Sequence, residues 1–192
     1  ASATPGSRCR TSARAHSPYY RRLYAGLPLG PLDIRTLPPV HKHDLMAHFD
    51  EWVTDPAITR NAAAKFSADP SLVGRPFLGR YALWTSSGTT GEPGIFVHDP
   101  EALAIYDALQ AVRFGAAALT PNFLLSSLAS GGRFAMVAAT GGHFAGVVSV
   151  ERLRQLNPMM AANARVFSIM QPLKALVEAL NGFQPNCLAA YP

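Results

Sequence analysis

Between Phe134 and Ala189 the chain alternates short apolar runs with helix-like stretches, and that alternation restricts the possible folds more than any other feature. Phe134–Ala139 (FAMVAA) is a buried-strand pattern closed by Thr140-Gly141-Gly142. A shorter helix is expected to open at Ser149-Val150-Glu151-Arg152, followed by a strand over Arg165–Ile169. Gln171–Asn181 reads as a helix stopping near Gly182, and Asn186–Ala189 begins another strand. Strands separated by helices pair in parallel through crossovers, so the predicted class is α/β, a layered sheet with flanking helices. With 192 residues, 48% of them hydrophobic, the chain can fill a sizeable core.

Upstream, Arg80–Ser86 (RYALWTS) and Ile95–His98 (IFVH) favour strands, and the Gly-rich stretch between them makes a hairpin-like connection. Asp99-Pro100-Glu101 is a helix start, with Asp as N-cap and Pro in the first turn, and the helix should run to about Leu119. Its stripe Leu103, Tyr106, Leu109 and Val112 is expected to face the core. HKHDLMAHFDEWV (41–53) spaces Leu45, Phe49 and Trp52 as one amphipathic helix. Ser17-Pro18 resembles a helix start, after which repeated Pro and Gly force an extended arm. Residues 1–17 are small, polar and basic, fitting a loose terminus or the tail of a helix, and weak order is expected there. The chain thus divides into 1–17, a helical and extended region 18–79, and an α/β region 80–192.

The net charge of +5 comes largely from Arg8, Arg10, Arg14, Arg21 and Arg22 at one end. Basic and aromatic residues do not interleave as on a nucleic-acid surface, so nucleic acid is not an expected partner. Two distant cysteines, Cys9 and Cys187, make neither a disulfide framework nor a metal-ligand spacing, and a reducing cytoplasm is expected. No run approaches the roughly 20 apolar residues of a membrane span. His41, His43 and His48 lack zinc-site spacing and read as solvated surface, so no metal site is expected from side chains.

The hairpin tip carries the chemistry. Residues 85–94 (TSSGTTGEPG) combine hydroxyls with glycines, which let backbone N–H groups close around an anion. A flexible turn has the same composition. The loop is not a Walker A motif, because Gly91 is followed by Glu92 and Pro93 rather than Lys and Ser or Thr.

The order of these residues closely resembles the phosphate-binding loop of adenylate-forming acyl- and aryl-CoA ligases, and the flanks resemble the phenylacetate-CoA ligase and CapK-like group. The supporting pieces are His16–Arg21 (HSPYYR), Leu37–Lys42 (LPPVHK) and Phe49–Pro56 (FDEWVTDP), so the resemblance spans the chain from about residue 14. It implies the leading part of a large adenylation domain, with ATP, Mg²⁺ and coenzyme A as cofactors and an organic, possibly aryl, carboxylic acid as substrate. Carried over, Ser86, Ser87, Thr89 and Thr90 would supply hydroxyls to the ATP phosphates, and Gly88 and Gly91 would let the backbone close on them. Glu92, where many relatives have Lys, is expected to point outward. Thr140–Gly146 (TGGHFAG) resembles the Gly-rich segment lining the acyl pocket, which makes His143 and Phe144 candidates for substrate contact, with Tyr191 near the same pocket.

The relatives carry their adenine-contacting motif, ribose-binding Asp and Lys-bearing small domain further downstream. The expectation is therefore an N-terminal portion, apparently truncated, that is inactive alone and self-associates through an exposed sheet edge. The alternative is a non-catalytic nucleotide-binding or assembly module derived from such an enzyme.

Overall fold

The computed structural model describes residues 5–28, 33–86, 93–118 and 131–190. The parallel pattern appears as a three-stranded sheet in the order β4-β3-β5, with β3 at Phe134–Ala138, β4 at Ala164–Ser168 and β5 at Cys187–Ala190. Both pairings are parallel; Phe134 faces Ala164 on one side and Cys187 on the other. A second sheet is the antiparallel hairpin of β1 (Ala82–Thr85) and β2 (Ile95–His98), in a register that pairs Thr85 with Ile95. The described residues are therefore mixed α/β with two small sheets, the α/β class expected.

The helix α6 begins as its cap signal requires: the Asp99 carboxylate accepts from the amide of Ala102 at 2.7 Å, and the helix runs over Pro100–Ala118. Its apolar stripe behaves differently from the expectation. Leu103 is buried and Tyr106 meets the ring of Trp84 at 5.0 Å, but Leu109 is 58% and Val112 72% exposed. Length accounts for this: a 19-residue helix extends about 28 Å, whereas a four-residue strand reaches about 13 Å. The helix outruns the hairpin it packs on.

The main core lies between the hairpin and the preceding helices α3 (Lys42–Ala47), α4 (Phe49–Trp52) and α5 (Arg60–Ser67), where Met46, Phe49, Ile58, Phe77, Tyr81, Leu83 and Ile95 are buried together. The single helix expected over 41–53 is broken at His48, whose φ and ψ are −112° and 33°. Tertiary contacts explain the break. The guanidinium of Arg60 donates to the carbonyl of Met46, the acceptor that the amide of Asp50 would use in a continuous helix. The Asp50 carboxylate in turn accepts from the amide of Arg60 at 2.6 Å.

At the N-terminal end, Pro5–His16 forms α1, the helical one of the two forms expected of 1–17. It folds back on α2 (Pro18–Leu23): the guanidinium of Arg21 donates to the carbonyls of Arg14 and Ala15, at 3.3 and 2.7 Å. Buried Ser17 joins the two, its hydroxyl capping α2 through Tyr20 N and donating to the Glu51 carbonyl at 3.0 Å.

Helix α7 (Ala145–Leu156) starts four residues before the expected Ser149. Its buried Val147, Val148 and Val150 pack it against β1, β3 and β4, so it ties the hairpin to the parallel sheet. The short α8 (Pro158–Asn163) follows, then α9 over Leu173–Phe183. The latter passes through Gly182 rather than stopping there, because Phe183 is buried against Phe167 at 5.6 Å; Gln184, with φ of 53°, ends it. Among the described residues, no helix is long and apolar enough to cross a membrane.

Candidate functional site

The loop 85–94 is tied at its base by two hydrogen bonds between Ser86 and Gly94. The Ser86 amide donates to the Gly94 carbonyl at 2.9 Å, and the Gly94 amide donates to the Ser86 hydroxyl oxygen at 2.8 Å. The serine oxygen thus works as an acceptor in the fold while its proton remains available to donate. Gly94 is buried, and a Cβ there would stand 2.8 Å from the Phe96 ring and 3.1 Å from the Lys42 side-chain stem. Lys42, part of the LPPVHK motif, thus stands beside the loop base, a position that only the fold reveals. Ser87, Gly88, Thr89, Thr90 and Gly91 lie outside the described residues.

The second sequence motif meets the first here. Thr85, the last residue of β1, bridges Phe144 in parallel fashion, and its amide donates to the His143 carbonyl at 2.7 Å. The Thr140–Phe144 segment therefore lies beside the loop base, at the carboxyl end of β3. The Thr140 hydroxyl donates to that of Ser168 at 2.8 Å, joining the carboxyl ends of β3 and β4.

Topology gives this edge its meaning. The order β4-β3-β5 puts the second strand on one side of the first and the third on the other. In open α/β sheets such a reversal leaves a crevice outside the carboxyl ends of the strands, where ligands bind. Gly141 turns the chain there with φ of 89°, and α7 begins at Ala145 with no side chain capping it among the described residues. Its N-terminal amides and dipole favour an anion. β5 ends on the same edge, Ala190 pairing with Val137, while Tyr191 lies outside the described residues.

His143 and Phe144 take different parts. The His143 ring is only 1% exposed, against the ring of Phe66 at 5.1 Å, and its Nε2 donates to the Asp69 carbonyl at 3.1 Å. It fastens the segment to the end of α5, a structural role for the ring, while the substrate contact expected of it is not apparent from its buried position. Nδ1 is buried without a partner among the described residues. Phe144 is half-buried and caps the seam, its carbonyl accepting from Val148 N at 2.9 Å.

Below the seam, the rings of Trp84 and His98 lie 3.9 Å apart, and Trp84 Nε1 and His98 Nε2 are buried without partners among the described residues. Burial pushes the His98 pKa below its ordinary value, with Asp99 opposing the shift. Asp55 is held below the usual carboxylate range by the Tyr81 hydroxyl, the Ala57 amide and Arg80. Asp69 is lowered by its two bonds from Ser71, through the hydroxyl and the amide. His41, His43 and His48 are exposed, and no group of three or more His, Cys, Asp or Glu could hold a metal among the described residues.

No protein-family model, curated protein or solved structure matches the chain.

Proposed function

We propose that this chain is the nucleotide-phosphate-binding part of a carboxylate-activating ligase, the N-terminal portion of an adenylation domain. The observation that carries the reading is the Thr85–Phe144 bridge, which sets the base of the Ser/Thr/Gly loop beside the Gly-rich segment after β3. Both lie at the edge where an α/β sheet of this strand order leaves room for a ligand.

In this reading the hydroxyls of Ser86, Ser87, Thr89 and Thr90, with the backbone at Gly88 and Gly91, hold the ATP phosphates. Mg²⁺ arrives with the nucleotide and neutralises phosphate charge. An oxygen of an organic or aryl carboxylate bonds to the α-phosphorus, and the bond to pyrophosphate breaks. The thiolate of coenzyme A then attacks the acyl carbon and AMP leaves. Phe144 and Tyr191 are the side chains offered to the acid, and His143 positions Phe144 from behind. The protein belongs in a reducing cytoplasm, with neither nucleic acid nor membrane as partner. It self-associates through the β5 edge, where Leu188 is 55% exposed; a clean monomer by size-exclusion chromatography at high concentration would refute that part.

The second reading, a non-catalytic nucleotide-binding module, uses the same loop and differs in one test. Acid-dependent exchange of labelled pyrophosphate into ATP by the 192-residue chain, over a panel of aryl and alkyl acids, would establish activation and overturn the module reading. Saturable Mg·ATP binding without exchange matches the chain being inactive alone. Absence of saturable binding overturns both readings.

A further inference from the structure

The opposite end of the hairpin holds a cavity of about 210 Å³, between the residues before β1 and helix α7. Tyr81, Ala82, Leu103 and Val148 give it an apolar floor, and all four are buried. Arg75, Arg80, Arg152 and Gln155 line it as well. Ala82 stands three residues along β1 from Thr85, about 10 Å, so this is not the loop site.

Charge around the cavity is unbalanced. Arg80 is paired with Asp55, and Arg152 with Asp107. Glu151, which precedes Arg152 on α7 and packs on Gly74, holds Arg154 at 2.9 Å. Arg75 is exposed, and its guanidinium has no acidic partner among the described residues. These acids are each engaged by another arginine, so Arg75 stands at the exposed rim of an apolar recess without an ion pair among the described residues, with Glu151 the acid beside it. A planar guanidinium in that position suits a carboxylate, which it can bind through two parallel N–H donors.

Volume narrows the ligand further. An apolar cavity of about 150 Å³ takes benzene, so the cavity here has room for one ring or a short alkyl chain with its charged group at the mouth. We propose that this cavity binds a small organic carboxylate with a ring-sized apolar body, its carboxylate on Arg75 and its body over Tyr81, Leu103 and Val148. The inference does not depend on the loop binding nucleotide.

The test is an amide-resolved NMR titration of the protein with benzoate, with acetate and benzyl alcohol as probes carrying only the charge or only the ring. Benzoate is expected to saturate first and to shift the amides of Arg75, Ala82, Val148 and Arg152. Arg75→Ala, an exposed substitution that leaves the fold alone, is expected to weaken benzoate by about tenfold or more and leave benzyl alcohol unchanged. Benzoate binding no tighter than either control, unaffected by Arg75→Ala, or confined to residues 84–86 and 140–144 would overturn the proposal.

Discussion

Replacing Ser86 by Ala tests the loop base directly. The substitution removes the oxygen that accepts from the Gly94 amide at 2.8 Å, and that amide belongs to a buried residue. Leaving a buried N–H without its acceptor costs about 1–3 kcal/mol. The second bond, from the Ser86 amide to the Gly94 carbonyl, survives, which favours the lower half of that range. A domain of this size loses roughly 2–4 °C of Tm per kcal/mol, so Ser86→Ala should melt about 2–8 °C below the parent. Ser86→Thr keeps the oxygen and should recover most of the loss. Urea unfolding followed by tryptophan fluorescence reads both variants against the parent. Ser86→Ala with unchanged stability, or Ser86→Thr as unstable as Ser86→Ala, would refute the reasoning that this hydroxyl closes the loop.

Gly74→Ala should be among the most damaging small substitutions: φ there is 80°, and a Cβ would stand 2.6 Å from that of Glu151. A loss of about 2–4 kcal/mol in chemical unfolding is expected, combining left-handed strain with overpacking. A second expectation concerns acid. Burial lowers the pKa of His98 in the fold, so between its ordinary value of about 6.5 and that lowered value the unfolded chain binds more protons. Stability attributable to His98 is therefore present above about pH 6.5 and lost as pH falls toward the folded value. His98→Phe should flatten that part of the urea-midpoint profile. The lowered carboxylates Glu51, Asp55 and Asp69 lose their contributions only at lower pH, beneath the ordinary carboxylate range of about 4. A parent profile already flat from pH 6.5 downward to that range would contradict the His98 assignment.

Local chemistry explains which elements were legible in the sequence. Asp99-Pro100 and Ser17-Pro18 carry their own start signals, and both helices begin where those signals lie. Strands β3, β4 and β5 follow from short apolar runs bounded by breakers, and their parallel pairing from the helices between them. Where distant groups intervened, the reading failed. The break at His48 depends on Arg60, twelve residues further on, taking the Met46 carbonyl. The exposure of Leu109 and Val112 depends on the length of β1 and β2, which no periodicity within α6 reveals. The early start of α7 follows from three valines finding β1 and the parallel sheet at once. At the site, the motif order singled out Ser86, His143 and Phe144, and the Thr85–Phe144 bridge brings them together. A histidine beside glycines is more often structural than ligand-facing, and His143 is packed inward against Phe66 and Asp69; which groups receive it was not legible, because both lie far upstream, Asp69 by 74 residues.

The central claim is that the loop and the seam beside it hold the phosphates of a nucleotide. An amide-resolved titration of the protein with Mg·ATP, repeated on Thr89→Ala/Thr90→Ala, tests it most directly. The account predicts saturable binding, shifts concentrated at Thr85, Ser86, Gly94 and residues 140–146, and loss of that binding in the double variant at unchanged stability. Non-saturating shifts, or binding that persists undiminished in the double variant, would contradict it.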